Sequence, residues 1–332
     1  MRYVVTSYGR ANNMVAFESM PEQFLQHIDL WVMPEEYKQY KNAWYGNKVR
    51  SINRFEPYMD CLYKKKRFFY EKLKGHYMQL DDDQYMFAWD QKAGRYVKAK
   101  DAPGLFMDRM LDVIPRMFEV YNMVAICRKQ LSTFGHARNG RAVLENELGS
   151  AAAGFSARRP RDIWHNRILF TVDQPIPIQN FMATKSAAVY TGLATFPSTS
   201  KAIRESGVGN SRTDFLTAND ALKCMQLFPG VIEGFTRDEK MRGNFIIFRR
   251  HKRIVTGITE DHVQETRDFI RDFCQLNGLS RTPKIFTYKD TDKFSDICDR
   301  VAYEWQAAGG KVDAKTYQAN LKYIKFVRGK RV

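Results

Sequence analysis

Three consecutive carboxylates, Asp81, Asp82 and Asp83, are the residues of this sequence best suited to chemistry. They follow an apolar stretch at residues 76–80 that is typical of a buried strand. Adjacent carboxylates offer the hard oxygen ligands that Mg²⁺ and Mn²⁺ prefer, and an ion held there could neutralise a diphosphate leaving group. The alternative is that the triplet caps a helix starting near Gln84, because Asp is a favoured capping residue.

A second polar turn follows the first apolar segment of the chain. Residues 3–7 are β-prone and lead into Gly9 and Arg10. Between the two turns the sequence predicts alternating helices and strands, namely a helix at 14–26, a strand at 28–33, a helix at 35–40, a strand at 49–52 and a helix at 57–73. Such alternation indicates a parallel sheet, whose ligands bind beyond the carboxyl ends of the strands. Both turns are therefore expected at that edge.

The rest of the chain is predicted to be less regular. We expect a helical pattern at 105–131 broken at Pro115, strands at 168–172, 186–190 and 244–248, a mobile loop at 198–211, and a helix at 214–227 capped by Thr217 or Asn219. Beyond these, two helices at 260–276 and 293–308 flank a short strand at 284–288, before a basic tail. The change in character places a boundary near residue 258, with a domain at 1–258 and a mostly helical appendage at 259–332.

Composition narrows the class of partner. The 332 residues include 53 Lys and Arg against 37 Asp and Glu, a formal net charge of +16 that favours a polyanion such as nucleic acid. A solvated basic surface is the alternative. No apolar run is long enough to span a membrane, and five scattered cysteines without CxxC spacing indicate a reducing cytoplasm. The chain has no GxxxxGK[ST], GxSxG or HExxH motif, which disfavours ATPases, common hydrolases and zinc proteases.

Two basic clusters could contact DNA phosphates. They are Arg158, Arg159 and Arg161, after the small residues of 149–155, and Arg249, Arg250, Lys252 and Arg253, after the strand at 244–248. Aromatic residues make up 14% of the chain, and some of them could hold an exposed base.

The order of these features resembles the GT-A glycosyltransferases. In that superfamily a first strand and turn bind a nucleotide, a helix follows, and an apolar strand ends in a DxD motif, here Asp81-x-Asp83, with Asp82 giving an alternative frame. The resemblance covers residues 1–90 and, more loosely, 145–250. Within the superfamily the chain is most similar to the TET-associated DNA glycosyltransferases of phages. It implies an α/β fold with a Rossmann-like, mixed and mostly parallel sheet flanked by helices.

The resemblance also implies roles for the residues of the two turns. Thr6, Ser7 and Arg10 would contact the nucleobase or diphosphate of a nucleotide sugar. The triplet would complete the donor site, with Asp81 and Asp82 touching the ribose or sugar and Asp83 binding Mn²⁺ or Mg²⁺ together with Asp81.

Other residues would complete the site. One of the basic residues at 64–67, such as Lys64 or Arg67, would steady the phosphates, although a solvated helix face is the alternative for them. Asp220 stands where a Glu-Asp pair is expected and would be the general base, with Asp214 as the alternative. His251 would join the metal ligands, or contact phosphate instead.

The function implied is metal-dependent transfer of a sugar, from a UDP-sugar or another nucleotide sugar, to a hydroxyl on a modified base of double-stranded DNA. We expect a phage-encoded monomer acting in the host cytoplasm. The stereochemistry of transfer stays open. The alternatives are a metal-dependent nuclease, a non-catalytic DNA-binding protein, and a glycosyltransferase acting on protein or small molecules.

Overall fold

The structure is a computed structural model of the chain. It describes residues 1–128, 131–149, 152–161, 175–198, 214–229, 232–238, 244–249, 257–286 and 292–312. Two compact units are present, the first made of Met1–Glu56, Phe68–Ile163 and Ile176–Gly209, the second of Pro57–Arg67, Trp164–Pro175 and Asn210–Val332. This division does not coincide with the boundary near residue 258, which stays a prediction about domains.

The first unit is built on a ten-stranded mixed sheet. Its strands are β1 (Arg2–Thr6), β2 (Ile28–Val32), β3 (Ser51–Arg54), β4 (Tyr77–Asp81), β5 (Gln84–Asp90), β6 (Arg95–Lys98), β7 (Met123–Arg128), β8 (Val143–Glu145), β9 (Ala152–Phe155) and β10 (Ala187–Pro197). The order is β3-β2-β1-β4-β9-β7-β10-β5-β6, and β8 pairs with β10. Pairing is parallel across β3-β2-β1-β4 and between β7 and β10, and antiparallel elsewhere. The predicted α/β fold with a Rossmann-like mixed sheet is confirmed.

Helices cover the sheet of the first unit. They are α1 (Val15–Ser19), α2 (Glu22–Leu25), α3 (Tyr37–Lys41), α5 (Pro103–Asp108), α6 (Ile114–Val120), α7 (Leu131–Arg138) and α8 (Pro175–Thr184), while α4 (Leu62–Lys72) contributes residues to both units. The core is apolar and aromatic, and the ring of Phe24 packs edge-on against Tyr3, 4.9 Å between centroids, and Phe106, 5.1 Å. Strand β1 is buried along Tyr3, Val4 and Val5, as expected for a strand covered on both faces.

Several helical predictions were wrong in their bounds. The helix expected at 14–26 is two short helices separated at Pro21, which lacks the N–H that a continuous helix needs. The helix expected from residue 57 begins only at Leu62. Pro115 does not break the helical pattern, because it lies in the first turn of α6 directly after a π-helical turn at Arg109–Val113. The helix predicted to continue to residue 131 instead ends at Val120, the last residue of α6.

The residues after that helix form a strand, β7, that the sequence did not reveal. Its run of five apolar side chains is buried, and a short apolar run has no periodicity that separates a buried helix from a buried strand. Strand β10 is likewise longer than the stretch predicted at 186–190.

The second unit contains α9 (Asp214–Leu227), the antiparallel pair β11 (Ile232–Asp238) and β12 (Asn244–Arg249), α10 (Glu260–Leu276) and α11 (Phe294–Ala307). The bounds of α9 and α10 match the prediction, and Thr259 caps α10 in a capping box with His262. Thr217 and Asn219 lie inside α9 and are not its caps. Residues 284–286 are not a strand, and the strand predicted at 168–172 lies outside the described residues, as does the loop at 198–211 apart from residue 198. Among described residues, no helix is both long and apolar enough to span a membrane.

Candidate functional site

The two polar turns meet at one edge of the sheet, as predicted. Strands β1 and β4 are parallel neighbours, and Thr6 at the end of β1 lies beside Asp81 at the end of β4. The chain continues from the triplet into strand β5 at Gln84. The interpretation of the triplet as a cap for a helix near Gln84 is therefore wrong.

Asp82 is the buried member of the triplet. Its Oδ1 atom accepts a hydrogen bond from the Arg10 guanidinium at 2.5 Å, and its Oδ2 atom accepts one from the Ser7 hydroxyl at 2.6 Å. Its backbone carbonyl accepts from the N–H of Ala16 at the start of α1. Both carboxylate oxygens thus bind the first turn, so Asp82 joins the two turns to each other.

Electrostatics favour the ionised form of Arg10. Burial lowers the pKa of its guanidinium, but the charges of Asp82 and Asp83 outweigh burial and raise that pKa above its ordinary value. For Asp82, burial raises the pKa of the carboxyl, Arg10 opposes this shift and the Asp83 carboxylate adds to it. The pair is nearly shielded from water, since about a tenth of each side chain is exposed.

Two residues that sequence reasoning missed hold the first turn in place. The Tyr40 hydroxyl lies 2.8 Å from the Ser7 hydroxyl and accepts a hydrogen bond from the backbone N–H of Arg10 at 3.1 Å. Glu36, which is buried, accepts from the N–H of Gly9 at 2.7 Å, and Gly9 has a φ of +67° that favours glycine. The only signal in the sequence was their place just after the second predicted strand, at the same edge.

The outer two carboxylates differ from Asp82 in exposure. Asp81 is partly exposed and its Oδ2 atom accepts a hydrogen bond from the Gln84 amide at 2.7 Å. Asp83 has 36% of its side chain exposed, and its Oδ2 atom lies 3.3 Å from a guanidinium nitrogen of Arg10. Thr6 is also partly exposed, and its hydroxyl accepts from the Gln79 amide at 3.3 Å. A ligand at this edge can therefore reach Asp81 and Asp83, whereas Asp82 is enclosed.

The donor set fits a divalent ion only in part. Asp81 and Asp83 supply carboxylate oxygens, and Mg²⁺ in enzyme sites is commonly bound by one or two carboxylates with substrate phosphates completing its shell. Within the described ranges, no three His, Cys, Asp or Glu side chains converge on a metal position. His251 lies outside these ranges. An ion at this edge would take its remaining ligands from a bound diphosphate, and metal dependence stays a prediction.

Lys64 does not have the role predicted for it. It is buried in the second unit, and its ammonium donates to the carbonyls of Tyr58 and Asp292, both at 3.0 Å, and to the Asp60 carboxylate at 2.9 Å. All three of its N–H donors are engaged, which leaves none for a phosphate. The predicted phosphate contact of Lys64 is therefore contradicted, while that of the partly exposed Arg67 stays a prediction.

Arg159 is also structural. Its side chain is buried, and its guanidinium donates to the carbonyls of Tyr70, Leu73, Gly75 and Ser156, tying the end of α4 to the start of β4. Burial lowers the pKa of Arg159 to about 10. A side chain engaged in this way cannot contact DNA, so that prediction is wrong for Arg159.

The other basic residues remain candidates for DNA contact. Arg158 and Arg161 are exposed, and each also donates to backbone carbonyls, Arg158 to Phe118 and Arg161 to the end of α4. In the second cluster, Arg249 is the last residue of strand β12, and the structure describes only its backbone. Arg250, Lys252 and Arg253 lie outside the described residues.

The two candidate bases lie on α9 in the second unit. Asp220 is completely buried, and its charge helps to raise the pKa of the buried Cys298 thiol, an effect caused chiefly by burial. A general base must come within hydrogen-bond reach of the acceptor hydroxyl, so Asp220 must become accessible to act as one. Asp214 is the first residue of α9, and the structure does not describe its side chain. Both roles stay predictions.

Comparison with known proteins identifies neither a family nor an activity for this chain. No protein-family model matches the chain, and no curated protein matches it. One solved structure that it resembles is the crystal structure of S. aureus TarS 1-349, with a TM-score of 0.40 and 11% sequence identity over 99% of this chain and 90% of that chain. A likeness at this level establishes neither a shared fold nor a shared activity.

Proposed function

We propose that this chain transfers a sugar from a nucleotide-diphosphate sugar to a hydroxyl group, with the donor bound at the carboxyl ends of β1 and β4. The observation that carries the proposal is the buried network of Ser7, Arg10 and Asp82, which fixes two turns side by side and leaves Asp81 and Asp83 accessible. In open α/β sheets this edge is where nucleotides bind.

The residues of this edge have the chemistry that the reaction needs. Glycosyl transfer requires the departing nucleotide diphosphate to be stabilised and its sugar to be positioned against the acceptor. Arg10 is a fixed cation beside Asp83, and Thr6 presents a partly exposed hydroxyl group at the same edge, whereas the buried Ser7 hydroxyl holds Asp82 in place. A divalent ion bound by Asp81 and Asp83 would neutralise the developing charge of the diphosphate.

The acceptor we propose is a hydroxyl group on a modified base of double-stranded DNA. The net charge of +16 suits a polyanionic acceptor, and Arg158 and Arg161 are exposed on the first unit. A phage-encoded enzyme that acts in the host cytoplasm is the setting in which such an acceptor would be met. The second basic cluster, Arg249 to Arg253, would add phosphate contacts.

Donor binding is the first step to test. Thermal shifts of the protein with a panel of nucleotide sugars, with and without Mn²⁺, should reveal one nucleotide that stabilises it, by about 2.7 kcal/mol at a concentration 100 times Kd. Asp83→Asn should abolish the metal-dependent part of the shift. The matched control is Asp101→Asn, which changes an exposed aspartate of the same unit and should leave the shift intact.

Transfer is then tested directly. Hydroxymethylated duplex DNA is incubated with the stabilising nucleotide sugar, and its nucleosides are analysed by mass spectrometry for the added mass of the sugar. If no nucleotide or nucleotide sugar raises the Tm, while the protein binds DNA in a salt-dependent way, the transferase proposal is wrong. Cleavage of the DNA in the same reactions would identify a metal-dependent nuclease instead.

A further inference from the structure

Two aromatic residues of the first unit lie immediately beside the acidic triplet. Tyr85 is the second residue of strand β5 and follows Asp83 by two positions along the chain. Phe196 lies directly opposite Tyr85 in the antiparallel strand β10. The backbone N–H of Ser198 donates to the carbonyl of Asp83 at 2.9 Å, which ties the end of β10 to the triplet turn. A step of two residues along a strand spans about 6.6 Å. The aromatic pair is therefore next to the proposed donor site.

Both rings are partly open to solvent near the end of the strand pair. Residues opposite each other in an antiparallel pair share one face of the sheet, so Tyr85 and Phe196 are on the same face. Their neighbour Met86 is on the other face and belongs to the hydrophobic core. Tyr85 is partly exposed, and Phe196 has 41% of its surface exposed. Phe196 is therefore a large apolar side chain exposed to solvent, and the partly exposed Tyr85 adjoins it.

The aromatic pair has a cationic neighbour as well as the acidic triplet. Lys98 of strand β6 is exposed, and its ammonium is 5.8 Å from the centre of the Tyr85 ring, within the range of a cation–π contact. Lys100, just after β6, is exposed as well, whereas the exposed Lys92 and Arg95 lie at the far end of the β5–β6 hairpin, at least five residues along β5 from Tyr85. This surface combines ring faces with positive charge, the combination by which proteins hold unpaired bases and their phosphates.

We propose that Tyr85 and Phe196 form a stacking platform for an unpaired nucleobase of the acceptor DNA, with Lys98 contacting an adjoining phosphate. The proposal deepens the proposed function and rests on it, because the platform would hold the acceptor beside the donor. A base within a duplex must leave the stack before its substituent can react, and aromatic side chains stabilise the extruded state. The two rings are hereafter the base platform.

The occupant is a nucleobase rather than a sugar ring because of the charge. A glycan could also stack on Tyr85 and Phe196, but a neutral glycan would gain no charge attraction from Lys98 and Lys100. A nucleic acid gains from both, and its binding should weaken as salt rises.

The test uses a single-stranded 12-mer DNA with 2-aminopurine at its centre, bound to the full chain. Fluorescence anisotropy of a labelled copy gives the affinity, and quenching of 2-aminopurine reports stacking. Tyr85→Ala and Phe196→Ala should each weaken binding by about 5-fold to 150-fold and reduce quenching. Tyr85→Phe should keep both, because it retains the ring.

Matched controls separate stacking from general effects. Trp44→Ala removes another exposed aromatic ring of the same unit and should leave affinity and quenching unchanged. Lys98→Ala should reduce the salt dependence of binding while 2-aminopurine remains quenched. Melting temperatures of all variants should stay near that of the parent, because the two rings are not part of the core.

The outcomes are distinct from those of the donor test. Loss of DNA binding in both alanine variants, with the nucleotide-sugar shift retained, supports the base platform. The same loss in a protein that binds no nucleotide sugar supports the platform while the proposed function fails. Unchanged affinity and quenching in Tyr85→Ala and Phe196→Ala overturn the platform, as would ring-dependent binding of a neutral oligosaccharide without ring-dependent binding of DNA.

Discussion

Replacing Asp82 by asparagine should destabilise the first unit far more than the same change at Asp83. Asp82→Asn keeps the shape of the side chain but removes the negative charge that compensates Arg10. The Arg10 side chain is only 10% exposed, so water compensates little of its charge. In the carboxylate, one oxygen accepts a hydrogen bond from the Ser7 hydroxyl and the other accepts one from the Arg10 guanidinium. The asparagine amide puts an NH₂ group, which is a donor, in the place of one of these acceptors. The change therefore removes the charge of the carboxylate that lies nearer to the Arg10 guanidinium than Asp83 does.

The expected size follows from the geometry. Removing one partner of a buried ion pair costs about 3–5 kcal/mol of unfolding free energy. Asp83 lies 3.3 Å from Arg10 and compensates part of its charge, and burial already disfavours the charged form of Asp82. Both effects place Asp82→Asn at the lower end, about 3 kcal/mol. For Asp83→Asn, whose side chain is 36% exposed, we expect less than about 1 kcal/mol.

Urea unfolding followed by tryptophan fluorescence measures both variants. The midpoint should fall for Asp82→Asn with the m-value unchanged, so that the shift reports stability alone. Combining Asp82→Asn with Arg10→Met should cost less than the sum of the single changes, because the uncompensated cation is then absent. If the unfolding free energy of Asp82→Asn lies within about 0.5 kcal/mol of the parent's, or falls no more than that of Asp83→Asn, the buried network does not hold the turns.

Two further predictions concern packing and pH. In Gly154→Ala the new Cβ would lie 2.3 Å from the carbonyl oxygen of Tyr77, so chemical denaturation should show an unfolding free energy lower by about 1–3 kcal/mol. The control Gly104→Ala, whose new Cβ has no atom within 4 Å, should cost nothing. Equal effects of the two changes would contradict the close strand packing. Burial chiefly lowers the pKa of His76, whose Nδ1 atom accepts from the N–H of Ala157 at 3.1 Å. The unfolded state therefore binds more protons as pH falls below about 6.5, and the unfolding free energy should decrease from there towards the lower folded pKa. This decrease should be smaller in His76→Asn, and an identical pH profile in that variant would refute the assignment.

Local sequence patterns predicted the part of the fold where short-range signals agree. Strands β1, β2 and β4 are short apolar runs bounded by polar turns, and helices separate them, so a parallel arrangement was the expected result. The same reasoning placed residues 6–10 and 81–83 at one edge of the sheet, where β1 and β4 are indeed adjacent. Helices α9 and α10 were found at their predicted bounds.

Patterns that depend on distant partners were misread. Residues 123–128 continue an apolar pattern, and only pairing with β9 and β10 makes them a strand. Lys64 and Arg159 belong to basic clusters in the sequence, yet the structure surrounds them with backbone carbonyls. Basic residues in a cluster look alike in sequence, and burial separates them only once the chain has folded.

The sequence alone determined that three carboxylates follow a buried strand, because side-chain type and strand period are local properties. Only the tertiary structure decided that Asp82 is enclosed with Arg10 while Asp81 and Asp83 remain accessible. It alone also set Phe196 opposite Tyr85, more than a hundred residues earlier in the chain. Contacts at such separations depend on strand order and register, which arise from the packing of the whole sheet.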